Sequence, residues 1–220
     1  MKENGLLTGK RIVDVSCILH PGKEKRRLEI RDKTFPFDGS MYFDVDMMSH
    51  LGTHVEVPLH WFRKTGKDLV QMPVETFIGE AVLLNLVGEG PGTPITHDVL
   101  ERAAKGRHVE GRILILRSPG STAPSADGPD TRPYITPDTA RWLIEKKAKM
   151  FGLDDTVTPE KSPEIAKEIH DLLMARDIPF LEVLTNLGQL KRDEFFLIAL
   201  PLRVAGLDSS PVRAIAIEDV

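Results

Sequence analysis

Residues 49–61 read Ser-His-Leu-Gly-Thr-His-Val-Glu-Val-Pro-Leu-His-Trp and place His50, His54, Glu56 and His60 within eleven positions. Three of the chain's seven histidines are therefore in one short stretch. Imidazole nitrogens and a carboxylate oxygen are ligands that suit zinc, manganese or iron, and an imidazole also serves as a general base. All four positions are even-numbered, so a straight strand would turn them to one face. At about 3.3 Å per residue, however, it would hold His50 and His54 roughly 13 Å apart, too far to share an ion with ligand distances near 2 Å. A helix would bring residues four apart together, but Gly52, Pro58 and the β-branched Thr53, Val55 and Val57 oppose one. A strand ending near Ser49, a tight bend at Gly52 and another at Pro58 meet both constraints. The segment then becomes a folded loop with converging imidazoles. The alternative is a surface loop that is merely rich in histidine.

Working outward, residues 42–48 read as the strand that delivers His50. The charged stretch 23–40, with Pro36 and Asp38-Gly39 as turn signals, reads as a long loop carrying Phe35 and Phe37 toward a ligand or a partner subunit. Residues 11–19 alternate as a strand, and Cys17 within that run reads as core. After the motif come a turn at 66–68, a helical turn at 73–77 and a buried strand at 79–87. A helix starting behind Thr96 should end near Gly106. Further strands are expected at 111–117, 150–153, 180–184, 195–202 and 212–217. Helices are expected over 137–147, behind Thr136-Pro137, and from Pro163 to about Ala175 behind Ser162. Residues 118–133 form a Pro/Gly/Ser/Asp-rich loop. Strands interleaved with helices indicate an α/β domain.

The chain has 220 residues, 41% hydrophobic and 28% charged, with a net charge of −4. This suits one soluble domain. Without a basic block, nucleic-acid binding lacks electrostatic support. The opening residues lack the apolar core of a signal peptide, no apolar run is long enough to span a bilayer, and a single cysteine excludes an internal disulfide. A cytoplasmic location is expected. No Gly-x-Ser-x-Gly elbow supports a serine-hydrolase route. His20, His97 and His108 read as solvated or capping residues. Trp61 and Phe62, next to His60, would wall an aromatic substrate or pack in the core.

Two later residues stand out. His170 lies late in the 163–175 helix, at or beside an apolar stripe of Ile165, Ile169, Leu172 and Leu173, where a core histidine satisfied by one hydrogen bond is the plainer reading. Glu182 interrupts a buried-strand run. An ionised carboxylate there needs a cation beside it, either a metal or an arginine such as Arg203, unless the position faces solvent.

The run from His50 to His60 resembles the signature of the metal-dependent cyclase family, which includes bacterial kynurenine formamidases and isatin hydrolases. That pattern is His-x-Gly-Thr-His-x-Asp-x-Pro-x-His, and Glu56 stands in place of its aspartate, longer by one methylene or about 1.5 Å. The stretch 170–190 resembles the family's downstream block, with a histidine followed twelve residues later by a glutamate, and the tail 200–214 resembles its closing pattern. The resemblance implies an α/β single domain over 1–220, with a mixed β-sheet or barrel-like core flanked by helices (swivelling β/β/α-like). It implies one or two divalent ions, Zn or Mn. His50, His54 and Glu56 would hold the first, and Glu56, His170 and Glu182 the second, with His60 as the acid/base residue. The implied activity is hydrolysis of an aryl formamide or cyclic amide, a small-molecule substrate, by a metal-activated water. The implied assembly is a homodimer or homotetramer. Two alternatives remain: ring closure or dehydration of a polyketide-like substrate, and a metal-binding protein without catalysis.

Overall fold

Runs such as Ile113-Leu-Ile-Leu116 are apolar at successive positions, so they suit strands covered on both faces. In the computed structural model, which describes residues 7–121, 129–159 and 161–219, the chain opens with β1 (Lys10–Asp14), β2 (Leu28–Thr34), β3 (Met41–Met47) and β4 (His54–Glu56). Then come β5 (Ile78–Asn85), β6 (Pro94–Ile95), α1 (His97–Ala104), β7 (Ile113–Arg117), β8 (Tyr134–Ile135) and α2 (Pro137–Glu145). The chain continues through β9 (Met150–Asp154), α3 (Pro163–Met174), β10 (Phe180–Leu184), β11 (Glu194–Ile198), β12 (Ser209–Pro211) and β13 (Ile215–Asp219).

Nine of these strands form one curled mixed sheet in the order β1-β13-β11-β5-β7-β9-β10-β4-β12. β5, β7, β9 and β10 are mutually parallel, and the flanking pairs are antiparallel. α1, α2 and α3 lie on the crossovers between the parallel strands, as parallel pairing requires. Side chains alternate between faces. Val82, Leu84, Leu114, Leu116 and Phe151 pack with Trp142 and Leu173 of the helices. Ala81, Leu83, Ile113, Ile115 and Met150 pack with Val13, Phe195 and Leu197. Each large side chain buried in these layers contributes roughly 1.5–3 kcal/mol. The fold is the α/β architecture expected from the sequence.

Helix starts follow their caps. The Thr136 hydroxyl accepts the Thr139 N–H (3.3 Å) and the Ser162 hydroxyl accepts the Ile165 N–H (3.3 Å). Thr96 occupies the N-cap of α1 but makes no capping bond with its side chain.

Several expectations are corrected. The 23–40 loop contains β2, which pairs with β3 in a separate hairpin (Leu28↔Met47, Ile30↔Val45). Its charged alternation conceals a strand, because the hairpin's apolar side, including Ile30, Phe43 and Val45, is exposed instead of buried. Within that stretch, Phe35 packs on Tyr42 and Phe37 is 98% exposed. The 11–19 strand ends at Asp14, whose carboxylate accepts the Ser16 N–H (3.1 Å), so half-buried Cys17 lies beyond it. β11 stops at Ile198 and β13 begins only at Ile215. The first six residues and the middle of the 118–133 loop (122–128) lie outside the described residues.

Candidate metal centre

Gly52 begins the site. Its φ is +58°, in the left-handed region that glycine enters freely. A Cβ there would come within 2.5 Å of Leu19 Cδ2 and 2.8 Å of Cys17 Sγ. Cys17 also clasps the next residue: its N–H donates to Thr53 Oγ1 (2.9 Å) and its sulfur accepts the Thr53 N–H (3.1 Å). The bend expected at Gly52 therefore forms, but the residues after it are the strand β4 and not loop. At Pro58 the chain turns again, through a one-turn 3-10 helix ending at His60.

β4 lies between β10 and β12, with His54 opposite Glu182 and Glu56 opposite Ser209. The two bends and this pairing draw the imidazoles together, with ring centroids 5.3 Å apart for His50 and His54, 4.5 Å for His50 and His60, and 5.7 Å for His60 and His170. Glu56 is at the centre. Its Oε1 is 2.6 Å from His50 Nδ1 and 3.2 Å from His54 Nε2, and its Oε2 is 3.9 Å from His60 Nε2. Donor atoms of His50, His54 and Glu56 lie within 4.8 Å of one another, as do those of Glu56, His60 and His170. Glu182 Oε2 stands 3.9 Å from His54 Nε2. All six residues singled out in the sequence thus share one region.

Two of the rings are anchored from behind. His54 Nδ1–H donates to the Gly52 carbonyl (2.7 Å) and His170 Nδ1–H to the Ala166 carbonyl (2.7 Å). Each ring therefore turns its Nε2 toward the site, the arrangement typical of metal-ligating histidines. Trp61 stacks on His170 (4.9 Å) while its Nε1–H donates to Asp171 (2.6 Å), and Phe180 meets the same imidazole edge-on (5.0 Å). Phe62 packs against the helix-side core.

Strain marks the far side. Val183 has a φ of +58°, which is unfavourable for a β-branched residue. It lies in a bulge where β10 shifts register against β9 between Leu181 and Leu184. Its carbonyl accepts the Thr53 hydroxyl (2.7 Å), which ties the bulge to the histidine loop.

Asp208 was not singled out in the sequence. Its Oδ2 accepts from His50 Nε2 (2.9 Å) and His60 Nδ1 (3.1 Å). A lone aspartate in the tail, far in sequence from any histidine, gives no spacing signal. Its place just before β12, beside β4, emerges only with the sheet.

The electrostatics of the cluster run one way. Burial works to raise the Glu56 carboxyl, yet hydrogen bonds to His50 and His54 and the charge of His60 hold it well below the ordinary carboxylate range. For Asp208, burial is likewise outweighed by its histidine partners, and the carboxyl is drawn down to about 2. Burial disfavours a proton on His50, but its contacts with Glu56 and Asp208 outweigh that and raise its pKa. The 2.6 Å approach of His50 to Glu56 is a place that a proton or a cation would bridge. Glu56 is only 5% exposed, and a carboxylate so placed needs positive charge nearby. Imidazole and carboxylate donors with anchored rear nitrogens fit a divalent ion.

An α/β sheet that presents such donors at one point defines the class of protein. Residues 13–160 match the Cyclase family. The chain is 32% identical over 174 residues to kynurenine formamidase of Bordetella petrii, covering 78% of each protein. It is 29% identical over 170 residues to the enzyme of the same name from Bacillus cereus, covering 77% of this chain and 76% of the relative. Isatin hydrolase A from Labrenzia aggregata superimposes with a TM-score of 0.77 at 24% identity, covering 97% of this chain and 95% of that one. The chain belongs to the Cyclase family.

Proposed function

We propose that the chain is a metal-dependent amide hydrolase acting on an aryl formamide or a related cyclic amide. Its hydrolase class rests on relatives named kynurenine formamidase and isatin hydrolase. The convergence of His50, His54, Glu56, His60, His170 and Glu182, with the rear nitrogens of two rings anchored to carbonyls, is the observation that carries the reading.

His50, His54 and Glu56 would hold one divalent ion, and Glu56, His170 and Glu182 a second, with Glu56 between them. Zinc and manganese suit this donor set. Such an ion, when bound, supplies Lewis acidity and makes water acidic enough to react at neutral pH. His60 is the acid/base residue. Its Nε2 takes a proton from water as the new C–O bond forms, then returns one to the nitrogen as the C–N bond breaks. The stacked Trp61 and His170 would offer a flat wall to an aryl group.

The enzyme would act in the cytoplasm, and no helix among the described residues is long and apolar enough to cross a membrane. It would assemble as a homodimer or homotetramer. In support, the two-stranded hairpin carries exposed Ile30, Phe43 and Val45, and an isolated hairpin is marginally stable in water.

Purified protein loaded with Zn²⁺ or Mn²⁺ should hydrolyse an aryl formamide or an aromatic lactam, lose activity on chelation and regain it when metal is restored. Activity unaffected by metal-free dialysis would overturn the metal. Turnover of a cyclisation substrate alone would replace hydrolysis with ring closure.

A further inference from the structure

We propose that Asp208 is a positioning residue that fixes the tautomers of both His50 and His60 through one shared carboxylate oxygen. The inference rests on the preceding reading only for the roles of those two rings.

Four donors hold the Asp208 carboxylate. Oδ2 accepts from His50 Nε2 (2.9 Å) and His60 Nδ1 (3.1 Å), and Oδ1 accepts the hydroxyls of Ser49 (3.3 Å) and Ser209 (3.2 Å). The backbone is pinned too, since the Asp208 carbonyl accepts the Val57 N–H (2.9 Å). The acid is therefore set in place before either ring is considered.

A neutral imidazole has one N–H and one lone pair. With its N–H committed to Asp208, His60 must present its lone pair at Nε2, the atom facing Glu56 Oε2 at 3.9 Å. Once an ion displaces the proton that His50 shares with Glu56, the same logic would have His50 present its lone pair at Nδ1, the atom nearest Glu56 Oε1. His54 and His170 use backbone carbonyls for this purpose, whereas the more exposed pair shares a side chain. A base with its N–H on the wrong nitrogen cannot accept a proton where the reaction needs it, and a ligand so protonated cannot bind an ion. One carboxylate thus couples ion capture by His50 to proton transfer by His60.

The test begins with the wild-type protein loaded with Zn²⁺, using ring ¹⁵N–¹H NMR. His60 should be the Nδ1–H tautomer and His50 the Nε2–H tautomer. Asp208→Asn keeps the size of the side chain but replaces one acceptor oxygen with a donor. It should weaken Zn²⁺ affinity 10–100-fold in competition with a chromophoric chelator and abolish the single His60 tautomer. At saturating metal it should lower kcat more than KM changes. Asp208→Glu should recover part of the metal affinity that Asn loses. Either ring found as the opposite tautomer in the wild type, or unchanged metal affinity and ring signals in Asp208→Asn, would overturn the proposal. The NMR and affinity measurements need no substrate, so they judge Asp208 even if the amide-hydrolase reading fails.

Discussion

Two groups of acids occupy neighbouring parts of this sheet and behave differently. Around β4, Glu56, Glu182 and Asp208 face imidazoles. Just past the end of β9, Asp130 is gripped by Arg132 through Nε (2.9 Å) and Nη2 (2.7 Å), while Arg132 Nη1–H donates to the carbonyls of Asp155 (2.8 Å) and Val157 (3.3 Å). The Arg132 guanidinium holds the Asp130 carboxyl well below its ordinary range. Carboxylates are common to both regions, and their partner decides their use. Guanidinium keeps its proton and has no lone pair to offer. An arginine-bound acid is therefore fixed scaffold, whereas an imidazole-bound acid can exchange its proton for a cation.

That contrast is most open to attack at Glu56. Glu56→Gln should abolish detectable activity and weaken Zn²⁺ or Mn²⁺ binding at least 100-fold, measured by chelator competition. Retention of metal would remove Glu56 from the centre. His60→Ala should lower kcat by roughly 10²–10⁴-fold with metal content unchanged by elemental analysis. A parallel loss of metal would make His60 a ligand instead of the base.

On the scaffold side, Arg132→Ala should cost about 2–3 kcal/mol in denaturant unfolding, since it takes the guanidinium away from Asp130 and leaves the Asp155 and Val157 carbonyls without that donor. Metal affinity should not change. The smallest effect is expected at Asp155, whose carboxyl is pushed up to about 6 by burial and by the neighbouring Asp154. An acid with a raised pKa binds its proton more tightly folded than unfolded. Its stabilising contribution is therefore complete below about pH 4 and is lost as pH rises through 6. Asp155→Asn should then stabilise the protein at pH 7–8 by about 1 kcal/mol, allowing for solvent screening. The gain should vanish near pH 4, and a constant gain at every pH would assign it to another cause.

The sequence shows the two regions unequally. Histidines at 50, 54 and 60 are dense and chemically distinctive, so the bends at Gly52 and Pro58 could be inferred from the requirement that they converge. The parallel strands are legible because double-sided burial demands unbroken apolar runs. β4 and β12 are three residues each, too short for any period to appear. β2 is hidden by its charges because an exposed hairpin need not follow the rule for half-buried strands. Asp208, and the bonds of Arg132 to the Asp155 and Val157 carbonyls, depend on pairings made only once the chain has folded.

The left-handed twist at Val183 has a consequence for how this chain tolerates change. Leu181 and Leu184 are three residues apart yet belong to the same hydrophobic layer, which strict alternation forbids and one surplus residue permits. Removing that residue would leave the hydropathy of the strand almost untouched. Leu181 and Leu184 would then alternate regularly within the same layer, but the carbonyl that accepts the Thr53 hydroxyl would be lost, and with it the tie between this strand and the histidine loop. Single-residue deletions at this point should be far more damaging than any substitution there.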